Sequence, residues 1–140
     1  MSGKENSEIV LAAFRAIEQR DDKSFGDLLH HDFKIHWPPS LPYARIGGPR
    51  WSEIWEPLQP TEAERRMDPR VVAVSEDEVV VLWQQRGRSS SGESFEGEVL
   101  GLYQVRDGKL ARAQMFYFDT AAVSRFLRKA NKEMDRRSVA

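Results

Sequence analysis

Apolar residues recur at helical spacing near both ends of the chain. Between residues 7 and 20, one stripe consists of Val10, Ala13, Phe14 and Ile17. Near the C-terminus, another consists of Val123, Phe126, Leu127, Ala130 and Met134. Each stripe predicts an amphipathic helix with one buried face, and Asn6 or Ser7 is the predicted N-cap of the first helix. A further short helix is predicted over DKSFGDLLH, so that His30 and His31 end it.

The pattern then changes to the alternation that is typical of a strand. DFKIHW, residues 32–37, alternates apolar and polar side chains. The apolar positions are Phe33, Ile35 and Trp37, and the polar ones are Lys34 and His36. PPSLPYARIGG is too rich in proline and glycine for a helix and predicts a loop. The helix predicted after it has an apolar face of Trp51, Ile54, Trp55 and Leu58.

Four strands are predicted in the second half of the chain. Their sequences are RVVAV, EVVVLWQQRG, ESFEGEVLGLYQV and KLARAQMFYFD, separated by the turn sequences SED, SSSG and RDG. Helices, an antiparallel meander and a last helix indicate an α+β domain with helices on one face of the sheet. Gly97 and Gly101 lie inside one strand, where glycine often marks a bend. We therefore expect a curved sheet that encloses a cavity, the usual place of a small-molecule site.

Composition narrows the class of protein. The 140 residues are 40% hydrophobic and 31% charged, with a net charge of −1, so the electrostatic signature of nucleic-acid binding is absent. There is no cysteine, which excludes disulfides, thiolate zinc sites and a thiol nucleophile. The polar N-terminus and the lack of a long apolar run predict a cytoplasmic protein without a membrane span. We expect one domain over residues 1–140, with frayed tails at 1–5 and 131–140.

Several segments carry a resemblance to a known group of proteins. The order of elements, together with LLHHDFKIHWPPSLPY, RDGKLARAQMFYFD and the helix start DTAAV, resembles the SnoaL-like group of the NTF2-like superfamily over roughly residues 7–130. The resemblance implies a cone in which N-terminal helices pack on a strongly curved antiparallel sheet around a cavity. It also implies a homodimer paired through the outer face of the sheet. Relatives include ketosteroid isomerases and polyketide cyclases, but Phe14 and the absence of a tyrosine in the first helix argue against the isomerase oxyanion hole.

Asp119 is the first candidate for catalysis. The resemblance places it where polyketide cyclases of the group keep a general acid or base at the end of the last strand. Strand alternation would put it on the same face as Tyr117, near the rim of the cavity. The alternative is structural, because an aspartate before TAAVSRFL is also a good N-cap for the last helix.

His36 is the second candidate, since an imidazole suits proton transfer at neutral pH. The sequence leaves open whether it faces the cavity, where it would assist Asp119, or the surface. His30 and His31 are adjacent and are expected to point in different directions, so we predict no metal site. Glu96 and Glu98 are expected to pair with Arg86 or Arg88 across a hairpin, on a solvated face.

Aromatic residues from several elements are the predicted lining of the cavity. The candidates for substrate contact are Trp37, Tyr43, Trp83, Tyr103 and Tyr117. Trp51 and Trp55 share an apolar helix face and are predicted to belong to the core. The leading hypothesis is an enzyme for cofactor-free isomerisation, cyclisation or dehydration of a hydrophobic carbonyl compound. The alternative is a non-catalytic module that binds a small ligand or dimerises.

Overall fold

The computed structural model describes residues 2–41 and 51–139, with side chains for 2–41 and 52–131. These residues form five α-helices and five strands. The helices are α1 (Gly3–Glu18), α2 (Asp22–Asp27), α3 (Trp51–Trp55), α4 (Glu62–Arg65) and α5 (Thr120–Val139), with a 3-10 helix (Glu56–Leu58) after α3. The strands are β1 (Leu29–His36), β2 (Arg70–Ser75), β3 (Glu78–Arg88), β4 (Ser94–Arg106) and β5 (Lys109–Tyr117).

The five strands form one curved sheet in the order β1-β5-β4-β3-β2. Strands β2 to β5 are an antiparallel meander, as the turn sequences predicted. Strand β1 pairs with β5 in parallel at the edge, and this crossover was not predicted. The helices pack on the sheet, and the predicted α+β cone is confirmed.

The hydrophobic core lies on the concave face of the sheet. Every second residue of β3 from Val79 to Gly87 is buried, as are Val99, Gly101 and Tyr103 of β4 and Ala113, Met115 and Tyr117 of β5. The helices cover this face with their apolar stripes, including Val10 and Phe14 of α1 and Leu127 of α5. None of the helices in the described residues has an apolar stretch long enough to cross a bilayer.

Helix α1 begins earlier than the apolar stripe suggests. It starts at Gly3, and the N-cap is Ser2, whose Oγ accepts a hydrogen bond from the Glu5 N–H at 3.2 Å. The prediction of Asn6 or Ser7 as N-cap is wrong, because the Asn6 amide donates to the Glu76 carbonyl at 3.3 Å and the Ser7 hydroxyl donates to the Gly3 carbonyl at 2.9 Å. The structure is helical from Gly3, and α5 continues through residue 139, while the fraying of the two tails stays a prediction.

Helix α2 ends earlier than predicted, at Asp27, so that His30 lies in β1. The prediction that the two histidines end the helix is wrong because pairing with β5 prevails over helix continuation. Leu29 is in register with Leu110, and the Leu110 N–H donates to the Leu28 carbonyl at 2.8 Å. This partner is distant in the sequence, so no local pattern indicates it.

Candidate functional site

The concave face of the sheet brings together three aromatic residues that were predicted to contact a ligand. Val99 of β4 lies between Trp83 on β3 and Tyr117 on β5 in one row across the sheet, and Tyr103 lies further along the same face of β4. Trp83, Tyr103 and Tyr117 are 3%, 5% and 8% exposed. They lie between the sheet and the helices, a region that we call the cone interior.

Tyr103 is a polar group in the middle of this face. Phe14 packs edge-on against the rings of Tyr103 and Trp83, at centroid distances of 5.7 and 5.8 Å. The Tyr103 hydroxyl donates to Met115 Sδ at 3.8 Å, and a thioether is a weak acceptor. Burial raises the pKa of Tyr103, and the neighbouring Trp83 indole lowers it only in part. The phenol is therefore neutral at physiological pH and serves as a hydrogen-bond donor.

Gly101 makes room for the Tyr103 ring. A Cβ at this position would collide with the ring atoms of Tyr103, two residues along the same face of β4. Gly97 has the same relation to Phe95, whose Cζ would lie 2.8 Å from an added Cβ. The two glycines predicted to mark bends thus each lie beneath an aromatic ring of their own strand.

Gln85 faces the cone interior two residues beyond Trp83. It is 0% exposed, and neither its Oε1 nor its Nε2 has a hydrogen-bond partner among the described residues. The position opposite Gln85 on β4 is Gly97, which has no side chain to meet the amide. Gln85 was not predicted from the sequence, although it continues the buried alternation of Val79, Val81 and Trp83. The pattern could have shown that it is buried, but not that it is unpaired.

The remaining aromatic candidates lie elsewhere in the fold or outside the described residues. Trp37 follows the end of β1, is half-buried and packs against the core. Tyr43 lies outside the described residues. Trp55 is 0% exposed and stacks on Phe126 at a centroid distance of 6.1 Å, as expected for a core residue.

Asp119 lies at the surface, at the start of α5. Strand β5 ends at Tyr117, so the alternation does not extend to Asp119, which is exposed. Its Oδ1 accepts a hydrogen bond from the Ala122 N–H at 3.0 Å, which confirms the predicted N-cap. With Phe118 and Glu98, Asp119 also lines an open groove of about 480 Å³. We call it the β4 groove.

His36 lies on the outer face of the sheet. It is exposed, and it pairs with Gln114 of β5. The neighbours of Gln114, Ala113 and Met115, are buried on the concave face, and adjacent strand residues point to opposite faces. Assistance to Asp119 was predicted only for a His36 that faces the cavity. Instead, His36 lines a second groove of about 430 Å³, whose lining does not include Asp119.

The predicted cross-strand ion pair is present. Arg86 is in register with Glu96, and its Nη2 lies 3.3 Å from Glu96 Oε1. Arg88 pairs instead with Glu64, with 3.2 Å between Nε and Oε1. Both arginines are thus engaged in ion pairs.

His30, His31 and Asp32 place one metal-ligating atom each within 4.8 Å of one another. The expectation that the two rings diverge is wrong, because they stack at a centroid distance of 4.2 Å. The members of the cluster also have contacts with other groups of the chain. His30 Nδ1 accepts from the Asp32 N–H at 3.1 Å, and its Nε2 lies 3.7 Å from Asp107 Oδ2. Asp32 is further neutralised by Arg106, at 3.6 Å.

Solved structures of known proteins share this architecture. TerC, co-crystallised with polyporic acid, is 20% identical, with 89% of this chain and 98% of that chain covered and a TM-score of 0.71. An NTF2-like protein from Burkholderia xenovorans LB400 is 24% identical, with coverage of 89% and 97% and a TM-score of 0.65. A protein from Jannaschia sp. CCS1, described as a SnoaL-like polyketide cyclase, is 19% identical, with coverage of 86% and 90% and a TM-score of 0.65.

At these identities the solved structures establish the fold alone. No curated protein matches the chain. Residues 10–113, more than half of the chain, match the family described as the SnoaL-like domain. The chain therefore belongs to the SnoaL-like domain family.

Proposed function

We propose that the protein binds a hydrophobic small molecule with a carbonyl or amide-like group in the cone interior. The observation that carries this proposal is the fully buried, unpaired amide of Gln85. A buried polar group without a partner costs about 1–3 kcal/mol. A ligand that offers an acceptor to Nε2 or a donor to Oε1 would remove that cost.

Further polar atoms on the concave face suit the same ligand. The Trp83 indole Nε1 makes no hydrogen bond of ordinary geometry to a described residue, and the neutral Tyr103 phenol has only a weak sulfur acceptor. The surrounding wall is aromatic and apolar, which favours a largely hydrophobic ligand. The co-crystal of TerC with polyporic acid supports a small-molecule ligand on this fold.

Binding without proton abstraction is favoured by the residues of the concave face. In the described part of β3, β4 and β5, the buried alternating positions carry no carboxylate and no histidine. Neutral donors can hold and polarise a carbonyl group, whereas carboxylates and imidazoles are the groups that most often remove a proton at neutral pH.

The experiment is a titration of tryptophan fluorescence with aromatic ketones and quinones. Gln85→Leu should weaken binding by roughly tenfold, the loss expected for one buried hydrogen-bonding group. Phe118→Ala, which changes the exposed lining of the β4 groove, should leave the affinity unchanged. Equal affinities of wild type and Gln85→Leu would contradict the proposal.

A second candidate function is acid/base conversion in the β4 groove. It is favoured by the position of Asp119, whose carboxylate lines a groove of about 480 Å³ beside Phe118. Asparagine retains a side-chain oxygen for capping but cannot accept or donate the catalytic proton. Asp119→Asn should therefore abolish turnover of carbonyl substrates while the melting temperature is retained. Unchanged kinetics in this variant would rule out the mechanism.

We also propose that the protein forms a homodimer through an apolar patch on the outer face of the sheet, as the resemblance implied. Leu100 and Phe116 are in register on this face and are 39% and 48% exposed. Burying such a patch against a second copy would be favourable. Sedimentation equilibrium should give twice the mass of the chain, and Phe116→Lys should give a monomer. A monomeric wild type would refute the proposal.

A further inference from the structure

We propose that the groove lined by His36 binds the phosphate group of a small phosphomonoester. The groove lies on the outer face of the sheet, and its cationic side chains are Lys34, Arg106 and Arg112. We call it the basic groove. It is independent of the cone interior, because Arg112 is exposed on one face of β5 and Ala113 is buried on the other.

Two cations lie directly opposite each other in this groove. Lys34 of β1 is in register with Arg112 of β5, and both are exposed. Like charges at directly opposite positions of neighbouring strands are destabilising. Among the described residues, neither side chain pairs with a carboxylate, and Arg112 donates only to Gln114 Oε1, at 3.1 Å. An anion between the two cations would remove this repulsion.

The acids around the groove are already engaged. Asp32 is the single carboxylate in its described lining, and it lies 3.6 Å from Arg106 and 3.5 Å from His31. Next to Arg112 on β4 is Gln104, whose amide donates to Asp77 Oδ2 at 3.0 Å. The groove thus holds an excess of positive charge in a chain whose net charge is −1.

The arrangement of donors fits a phosphate. A phosphate monoester carries a charge of about −1.5 to −2 near neutral pH and three strong acceptor oxygens. The guanidinium of Arg112 can contact two of these oxygens, and Lys34 supplies a point charge beside them. His36 lies opposite Gln114 on the same face and offers a further N–H.

The size of the groove indicates that the phosphate is attached to a larger molecule. At about 430 Å³, the groove falls in the range of small-molecule pockets, roughly 300–1,000 Å³. A bare phosphate ion would leave most of this volume to solvent. We therefore assign the groove to a phosphomonoester rather than to free phosphate.

The test is a titration of backbone amide chemical shifts at constant ionic strength, with inorganic phosphate and phenyl phosphate as probes. We expect saturable shifts in β1 and β5 for both probes, and tighter binding of phenyl phosphate. Arg112→Gln and Lys34→Gln should each weaken binding by roughly tenfold. Arg70→Gln is the matched control, because Arg70 is exposed and in register with Leu82 at the far edge of the sheet, outside the groove.

Each outcome of the titration either supports or overturns the proposed phosphate site. The proposal would be overturned if the shifts grew linearly without saturation, because phosphate would then act only through bulk charge. Equal losses of affinity in Arg70→Gln and Arg112→Gln would overturn it for the same reason. Equal affinities for the two probes would overturn the assignment of a phosphomonoester in favour of free phosphate. Arg112→Gln should melt no lower than the wild type in phosphate-free buffer, since it removes a like-charge contact. Loss of phosphate binding in a stable Arg112→Gln variant would support the site, even if the cone interior bound no ligand.

Discussion

Replacing Gln85 with leucine is expected to stabilise the folded protein, against the usual effect of changing a fully buried residue. In the wild type, both polar atoms of the Gln85 side chain are buried without a partner among the described residues. Leucine has a similar volume and no polar atoms, so the desolvation penalty of the amide, about 1–3 kcal/mol, disappears. The change in shape costs less than about 1.5 kcal/mol. We expect a net gain of about 1 kcal/mol in the free energy of unfolding.

Gln59→Leu is the matched control for this prediction. Gln59 is also buried, at 4% exposure, but its Nε2 donates to the Arg86 carbonyl at 3.0 Å. Leucine at this position removes a satisfied hydrogen bond, which should cost about 1 kcal/mol. The two substitutions make the same chemical change, but only the Gln59 amide has a hydrogen-bond partner, so they should shift stability in opposite directions.

Urea denaturation followed by tryptophan fluorescence measures both variants. For a domain of this size, 1 kcal/mol corresponds to roughly 3–4 °C in melting temperature, which a thermal scan also resolves. The slope of unfolding free energy against urea should not change, because the exposed surface is the same. If Gln85→Leu lost as much stability as Gln59→Leu, the Gln85 amide would be satisfied in solution by a bound water. That result would refute the reasoning, and with it the observation that carries the proposed function.

Three further predictions concern stability. Asp119→Ala should lower the free energy of unfolding by about 0.5–2 kcal/mol through loss of the cap. Asp119→Ser should stay near the wild type, because serine can also cap. If the two variants lost the same free energy of unfolding in urea, the capping role would be contradicted. Gly101→Ala should destabilise the fold by about 1–3 kcal/mol, because the added Cβ would collide with the Tyr103 ring. Gly26→Ala is the control and should stabilise the fold slightly, because an added Cβ there meets nothing within 4 Å. An unchanged melting temperature of Gly101→Ala would refute the packing argument. The Thr61 hydroxyl holds the pKa of Glu64 below its ordinary value of 4.5, so this contact stabilises the fold above that pH and is lost as the pH falls through the folded pKa. The difference in unfolding free energy between wild type and Thr61→Val should therefore shrink from about pH 7 to about pH 3. A difference that did not change with pH would contradict a stabilising contact between Thr61 and the Glu64 carboxylate.

The sheet was predictable because its signals are local. The alternation in β3 continues over eleven residues, and the turns on either side have the residues that hairpins require. Trp83, Tyr103 and Tyr117, which were predicted to line the cavity, lie on one face of the sheet. The parallel pairing of β1 was not predictable in this way, because its partner Leu110 is far from Leu29 in the sequence. The placement of His30 failed for the same reason.

The candidate site was harder to predict than the fold. Asp119 was identified as a cap from its position before α5, and one hydrogen bond to Ala122 bears this out. Its exposure depends on where β5 ends, which alternation alone does not define. The basic groove could not be predicted, because Lys34 and Arg112 come from segments that are distant in the sequence. The register of β1 against β5 places them side by side.

The parallel pairing of β1 with β5 also bears on the order of events during synthesis. On the ribosome β1 emerges before the other four strands, yet among the described residues its hydrogen-bonded neighbour in the sheet is the last strand to be made. The β2–β3–β4 meander pairs segments that are close in the sequence and can form while the chain is still growing. Until Lys109 and the residues after it have left the exit tunnel, β1 keeps an unpaired backbone and exposed apolar side chains. A nascent chain that stalls before β5 is therefore expected to bind chaperones.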